Sequence, residues 1–221
     1  MAEATSIESN HSFSIEVSDL SKRFNREWIF KGLNYSFTSG NTYAITGPNG
    51  SGKSTLLQVL WGQVPPTSGK LFYRSSGKEI ELENLHHHLA IATPYMDLID
   101  EFTLKEQLKF HFSLRKIRYG LTLSEAIERM YLTTAQDKVI GNFSSGMKQR
   151  VKLGLAFYTE ADIVFLDEPG TNLDRQAFGW YLDELGTLPK DIISIIASNQ
   201  PTEYPENASK IDILSCKAGY R

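Results

Sequence analysis

Apolar residues alternate with polar ones at Phe13, Ile15 and Val17 and again at Leu33, Tyr35 and Phe37, which is the period of half-buried strands. Thr42–Thr46 predicts a third short strand, which runs into a Gly-rich turn and then a helix over about 53–61, closed by Gly62 and the Pro65-Pro66 pair. Short strands are predicted at 70–73 and 89–92, after which helix formers dominate. Thr103-Leu104-Lys105-Glu106 reads as a capping box opening a helix to about Arg118, and Thr122-Leu123-Ser124-Glu125 as a second. A helix over about 145–159 leads to a continuous apolar run at 163–166, of the kind that forms a buried parallel strand. A helix over about 176–188 and another buried strand at 192–197 follow. This alternation predicts an α/β core with helices on both faces of a parallel sheet.

Composition narrows the class without changing that picture. The 221 residues are 41% apolar and 22% charged, with 16 Gly and 8 Pro, which excludes collagen-like, low-complexity and wholly disordered chains. A net charge of −3 gives no global basic field, so no nucleic acid partner is expected. Cys216 is the single cysteine and stands apart from any His or acidic cluster, so neither a disulfide nor a thiol nucleophile is expected. The longest apolar stretch, 192–197, is interrupted by Ser194 and falls far short of the roughly 20 residues that cross a bilayer. Residues 1–11 are polar with no apolar h-region and read as a tail rather than a secretory signal, which leaves one cytoplasmic domain over 12–215 as the expectation.

Candidate chemistry begins at Gly47-Pro48-Asn49-Gly50-Ser51-Gly52-Lys53-Ser54, which satisfies the P-loop pattern between a predicted strand and a predicted helix. In that context successive backbone N–H groups and the positive end of the helix can surround phosphate oxygens. Lys53 is then expected to reach the β- and γ-phosphates, and the Ser54 hydroxyl to ligate Mg2+. Thr55 completes the loop. The second element is Asp167-Glu168, at the carboxyl end of the buried strand, where α/β sheets bind ligands. Asp167 is the candidate for the Mg2+ shell, and Glu168 the candidate to orient or deprotonate an attacking water.

These two elements establish nucleotide binding without naming a task. Discrimination comes from Phe143-Ser144-Ser145-Gly146-Met147-Lys148-Gln149-Arg150, one helix upstream of the acidic strand. This segment resembles the signature of the ATP-binding-cassette (ABC) ATPases, usually Leu-Ser-Gly-Gly-Gln followed by a basic helix. The likeness continues through Asp167-Glu168-Pro169-Gly170-Thr171-Asn172-Leu173-Asp174, similar to that family's Walker B glutamate and D-loop, with Asp174 as the D-loop aspartate. It covers about residues 12–199.

The resemblance implies a P-loop NTPase core with an N-terminal antiparallel β-subdomain and an inserted α-helical subdomain at about 96–150. It implies that Phe24, 29 residues before Lys53, stacks on adenine, with Trp28 the less favoured candidate. It further implies that Ser144, Ser145, Gly146 and Met147 serve the ATP bound to a second cassette, either another copy of this chain or a paralogue. Two chains then sandwich ATP and Mg2+ head to tail. The implied role is the ATP-hydrolysing subunit of an ABC transporter, held at the inner face of the cell membrane by a separate integral membrane permease. Two other readings stay open: a cytosolic ABC protein acting on ribosomes or DNA, and a slow nucleotide sensor.

Four positions depart from the family pattern. Tyr95, after Thr93-Pro94, stands where a Gln usually senses Mg2+ and water, and Ser145 and Met147 alter the signature. Asn199 stands where a His usually contacts the γ-phosphate; an amide donates a hydrogen bond but carries no proton or positive charge, so slower hydrolysis is expected. Outside these motifs, His86-His87-His88 reads as a surface loop, and the basic stretch 109–118, with Phe110, Phe112 and Leu114, reads as an amphipathic helix turning a core face inward.

Overall fold

The computed structural model describes residues 12–217, so the predicted tail at 1–11 lies outside the described residues. Strands β1 (Phe13–Phe24) and β2 (Glu27–Thr38) form a long hairpin turning at Asn25, whose φ of 52° is left-handed. The chain then lays down β3 (Thr42–Thr46) and helix α1 (Lys53–Leu60), and returns through β4 (Ser68–Ser75) and β5 (Lys78–Ile80). These four outer strands pair antiparallel in the order β2-β1-β4-β5.

Next come β6 (Leu89–Ala92), α2 (Leu104–Leu114), α3 (Leu123–Arg129), α4 (Ser145–Tyr158), β7 (Ile163–Asp167), α5 (Arg175–Gly186), β8 (Ile193–Ala197) and β9 (Ser209–Asp212). The second sheet runs β6-β7-β8-β3-β9 with every neighbouring pair parallel. Strand alternation divides its side chains between two cores. Ile163, Phe165, Ile193 and Ile195 face the core shared with α1 and the antiparallel sheet, while Val164, Leu166 and Ile196 face α4 and α5. Burial of each large apolar side chain contributes about 1.5–3 kcal/mol. The α/β class is therefore as the sequence pattern predicts, and the antiparallel sheet beside a parallel core is as the resemblance implies.

Both capping boxes form: Thr103 and Thr122 accept from the N–H groups of Glu106 and Glu125, whose carboxylates bond back to the threonine N–H groups. Helix α2 nevertheless ends at Leu114 rather than near Arg118. Arg115 is extended, and its guanidinium donates to the carbonyls of His86 and Leu89, while Arg118 donates to those of Thr159 and Ala161. These arginines tie the chain to the neighbouring strand ends, which competes with further helix. The expected core face of this stretch is also different. Leu104, Leu108 and Gln107 are buried, whereas Leu114 is 70% exposed and Phe110 about half exposed. The three histidines end a 3-10 turn, Leu82–His88, rather than a loop; His86 and His87 lie at the surface as expected, while His88 is partly buried and pairs with Asp162.

Strands β1 and β2 run further than the alternation suggests because bulges between Val17 and Leu20, with Asp19 at φ 49°, reset the period. Among the described residues, no helix is long and apolar enough to cross a membrane.

Candidate functional site

The parallel sheet brings the site together at the carboxyl ends of three adjacent strands, β3, β8 and β7. Ala197 is the hinge of that edge: it registers with Ile45 on one side and Asp167 on the other. Ser198 N–H donates to Ile45 O at 3.1 Å and Glu168 N–H to Ala197 O at 2.8 Å. The P-loop, Asn199 and the two carboxylates therefore leave the sheet side by side, at the edge where α/β folds bind ligands.

Gly52 N-caps α1 in a left-handed conformation, with φ 108°. A Cβ there would stand 2.2 Å from Ile29 Cγ2, so glycine is required by the backbone and by the close approach of β2. No side chain caps this helix, and its first turn holds no acidic residue. Its N–H groups and positive dipole end are thus left to an external anion. Lys53 is buried (4% exposed), and its ammonium donates to the carbonyls of Gly47 at 3.1 Å and Pro48 at 3.3 Å, 3.8 Å from Glu168 Oε1. Ser51 Oγ is buried with no hydrogen-bond partner.

Asp167 is 2% exposed, and its Oδ1 is likewise buried without a partner. Burial pushes its carboxyl above the ordinary value; the Ser54 hydroxyl draws it down, the Glu168 charge adds to the rise and Lys53 opposes it. The Ser54 hydroxyl and the orphaned Asp167 oxygen belong to residues lining one cleft and are hard oxygen donors of the kind that suits Mg2+. Glu168 is more open, with about a third of its side chain exposed, and holds φ at 45°. Such a conformation costs a non-glycine residue of order 1 kcal/mol and persists where the surroundings hold it.

Phe24, Ile29, Asn49, Lys53, Ser54 and Thr55, with Gly50 and Gly52 of the P-loop, line a cleft of about 430 Å³ together with Tyr95, Asp167 and Glu168. Phe24 exposes half its surface, and Lys22 Nζ sits 4.8 Å from the ring centroid. Trp28 lies outside the cleft, covered by Arg23 and Lys31. Tyr95 is 77% exposed, while the neighbouring Pro94 carbonyl accepts from Lys152. Asn199 reaches the P-loop through a 3.0 Å bond to Asn49.

Ser144, Ser145, Gly146, Met147 and Asp174 stay outside this cleft. Ser144 caps α4 by accepting from Met147 N–H at 3.3 Å, and Asp174 caps α5 by accepting from Ala177 N–H at 2.8 Å. The two segments touch each other, since a Cβ on Gly146 would meet Asn172 O at 2.7 Å. Three residues near the site carry no sequence signal of a role. Ile29 lines the cleft, Gln149 donates to Pro169 O at 3.0 Å, and Glu203 is buried against Gly170. Only strand pairing in the β1–β2 hairpin could have pointed to Ile29.

Residues 30–171 match the family model described as ABC transporter. The chain belongs to that family. This ABC ATP-binding subunit is 29% identical over 195 residues to YybJ of Bacillus subtilis, an uncharacterized ABC transporter ATP-binding protein, with 86% of each chain covered. It is also 29% identical to the Nod factor export ATP-binding protein I of a Rhizobium species, covering 74% of this chain but 55% of that one. A solved Pyrococcus furiosus structure, assigned as an ABC transporter ATP-binding protein, superposes with a TM-score of 0.76 at 21% identity, over 92% of this chain and 98% of the other. That likeness establishes the ABC ATPase fold.

Proposed function

We propose that this ABC subunit binds ATP with Mg2+ in the cleft beneath Phe24 and hydrolyses it within a dimer of cassettes, driving a separate membrane permease. Phe24 stacks on adenine, the P-loop N–H groups and Lys53 hold the phosphates, and Ser54 and Asp167 hold the metal. Bound Mg2+ supplies neutralisation of the charge that develops on the phosphates. Glu168 takes the proton of the attacking water, and Asn199 donates its amide N–H toward the terminal phosphate. The helical segment at about 96–150 docks on the permease, which places the subunit at the inner face of the membrane. Outward transport is favoured by the export role in the name of the Rhizobium relative.

The observation that carries this reading is the division of the motifs. Lys53, Ser54, Asp167 and Glu168 share one cleft, while Ser144 to Met147 and Asp174 lie outside it. A second copy, or a paralogous cassette, supplies the missing half from Ser144 and Gly146. The test is the Glu168→Gln variant, which keeps the shape of the site and removes the base. With Mg-ATP, alone or with the co-purified permease, it is expected to run as a dimer in size-exclusion chromatography and as a monomer without nucleotide. A monomer under every condition rejects the dimer.

The Asn199 to Asn49 bond favours a second reading, a nucleotide sensor of low turnover, since a neutral amide tied to the P-loop cannot carry charge to the phosphate. Phosphate release that the membrane partner does not stimulate supports the sensor, and stimulation supports the motor.

A further inference from the structure

Glu203 is a buried carboxylate that none of the sequence motifs includes. It is 1% exposed, makes no ion pair among the described residues, and leaves Oε2 without a hydrogen-bond partner. Taking a carboxylate out of water uncompensated is costly, so its position needs a reason. It occupies the space that a side chain on Gly170 would fill: a Cβ there would stand 2.3 Å from Glu203 Oε1 and 3.0 Å from its Cδ. Gly170 lies two residues after Glu168, in the turn closed by Thr171 N–H on Glu168 O at 3.1 Å.

The Glu203 backbone is anchored on both sides while its carboxylate packs on the Gly170 turn. The Tyr181 hydroxyl of α5 donates to Glu203 O at 2.5 Å, and Glu203 N–H donates to Gln200 O at 3.1 Å, one residue beyond Asn199. Burial raises the Glu203 carboxyl above its ordinary value; the Ser198 hydroxyl lowers it, the Glu168 charge raises it, and the Gly170 N–H and Lys53 lower it. Glu203 thus touches both sides of the reacting edge, its carboxylate packed on Gly170 after Glu168 and its N–H bonded to Gln200 after Asn199. Gln149 holds the same turn from α4 through Pro169 O.

Resting on the ATPase reading above, we infer that Glu203 is a positioning residue: its buried carboxylate clamps the Gly170 turn to the end of β8 and so fixes Glu168 and Asn199 together over the P-loop. The strained φ of Glu168 is what such a clamp maintains. The clamp works by filling the space beside Gly170, so an uncharged side chain of the same shape suffices.

The test compares ATP hydrolysis by the full chain carrying Glu203→Gln, Glu203→Leu or Gly170→Ala, with kcat and the KM for ATP measured separately. Displacing a catalytic group by about 1 Å costs on the order of 100-fold, so Glu203→Leu and Gly170→Ala are each expected to lower kcat about 10- to 100-fold. KM should stay within about twofold, and Glu203→Gln should recover most of the rate. The two damaging changes remove one contact, so their combination should cost little more than either alone. Should Glu203→Leu not fold, Gly170→Ala and Glu203→Gln carry the same comparison. Wild-type kcat in the damaging variants, a loss confined to KM, or a Gln variant as impaired as Leu overturns the clamp. An unmodified chain without ATPase activity overturns the ATPase reading and the clamp with it, whereas an active one isolates the question to Glu203.

Discussion

Asn199 Nδ2 donates to Asn49 Oδ1 across 3.0 Å, joining the end of β8 to the crown of the P-loop. Both residues are exposed, so the bond contributes little to stability, at most about 1 kcal/mol. Its consequence is chemical. On the proposed function, the side chain assigned to the terminal phosphate is a neutral amide already bonded to the P-loop.

Replacing that amide by Asn199→His restores a group that can carry charge. Phosphate release by the purified chain is expected to rise severalfold while the apparent affinity for ATP changes little. An unchanged or lower rate would mean that the Asn199–Asn49 pair has become the working arrangement and that a ring cannot replace it.

Lys53 reaches only backbone carbonyls and the edge of Glu168, all within 4 Å. Its ammonium is therefore in no close ion pair among the described residues, which leaves it available for the phosphate role proposed above. Lys53→Met keeps the apolar stem and removes the charge, and should weaken ATP binding by about 100-fold, read by titration with a fluorescent ATP analogue. Lys53→Arg should fail to rescue it, because a planar fork does not fit where a compact ammonium does.

Phe24 lines the cleft half exposed while Lys22 Nζ, held at 2.7 Å from Pro65 O, lies over its ring. Base stacking on an aromatic is typically worth about 1–3 kcal/mol by alanine substitution. Phe24→Ala should therefore weaken ATP binding about tenfold yet leave inorganic triphosphate binding unchanged, and Phe24→Trp should restore it. Trp28→Ala should change neither, since that ring faces Arg23 and Lys31 outside the cleft.

The residues legible in the sequence are those whose chemistry is local. Gly47 to Ser54 form their cradle within one turn, and Asp167-Glu168 end a strand that is apolar throughout, so spacing alone locates them. The capping boxes of α2 and α3 are equally local. Long-range partners left no such trace. Ile29 meets Gly52 through the antiparallel sheet, Glu203 meets Gly170 across 33 residues, and β9 is recruited beside β3 from the far end of the chain. Helix α2 stops early for a related reason: Arg115 and Arg118, just beyond it, find carbonyls at 86–89 and 159–161, contacts that amphipathic periodicity cannot register.

His111 offers a measurable consequence of that packing. Its Nε2 lies 2.8 Å from Thr159 Oγ1, whose own proton is donated to Leu155 O, so Nε2 carries the hydrogen of this bond. Burial, with the Arg115 charge adding to it, lowers the His111 pKa from 6.5 to about 4. Between these values the unfolded chain binds a proton that the folded chain refuses, so stability rises with pH through this window. His111's contribution is complete above about pH 6.5 and is lost progressively as pH falls toward 4, by at most about 3 kcal/mol on the linkage scale. His111→Gln can donate the same bond to Thr159 without titrating. Urea unfolding at pH 7.5, 6 and 5 should therefore show the wild type weakening faster than the variant as acid is added, and parallel curves would mean that the imidazole is protonated in place.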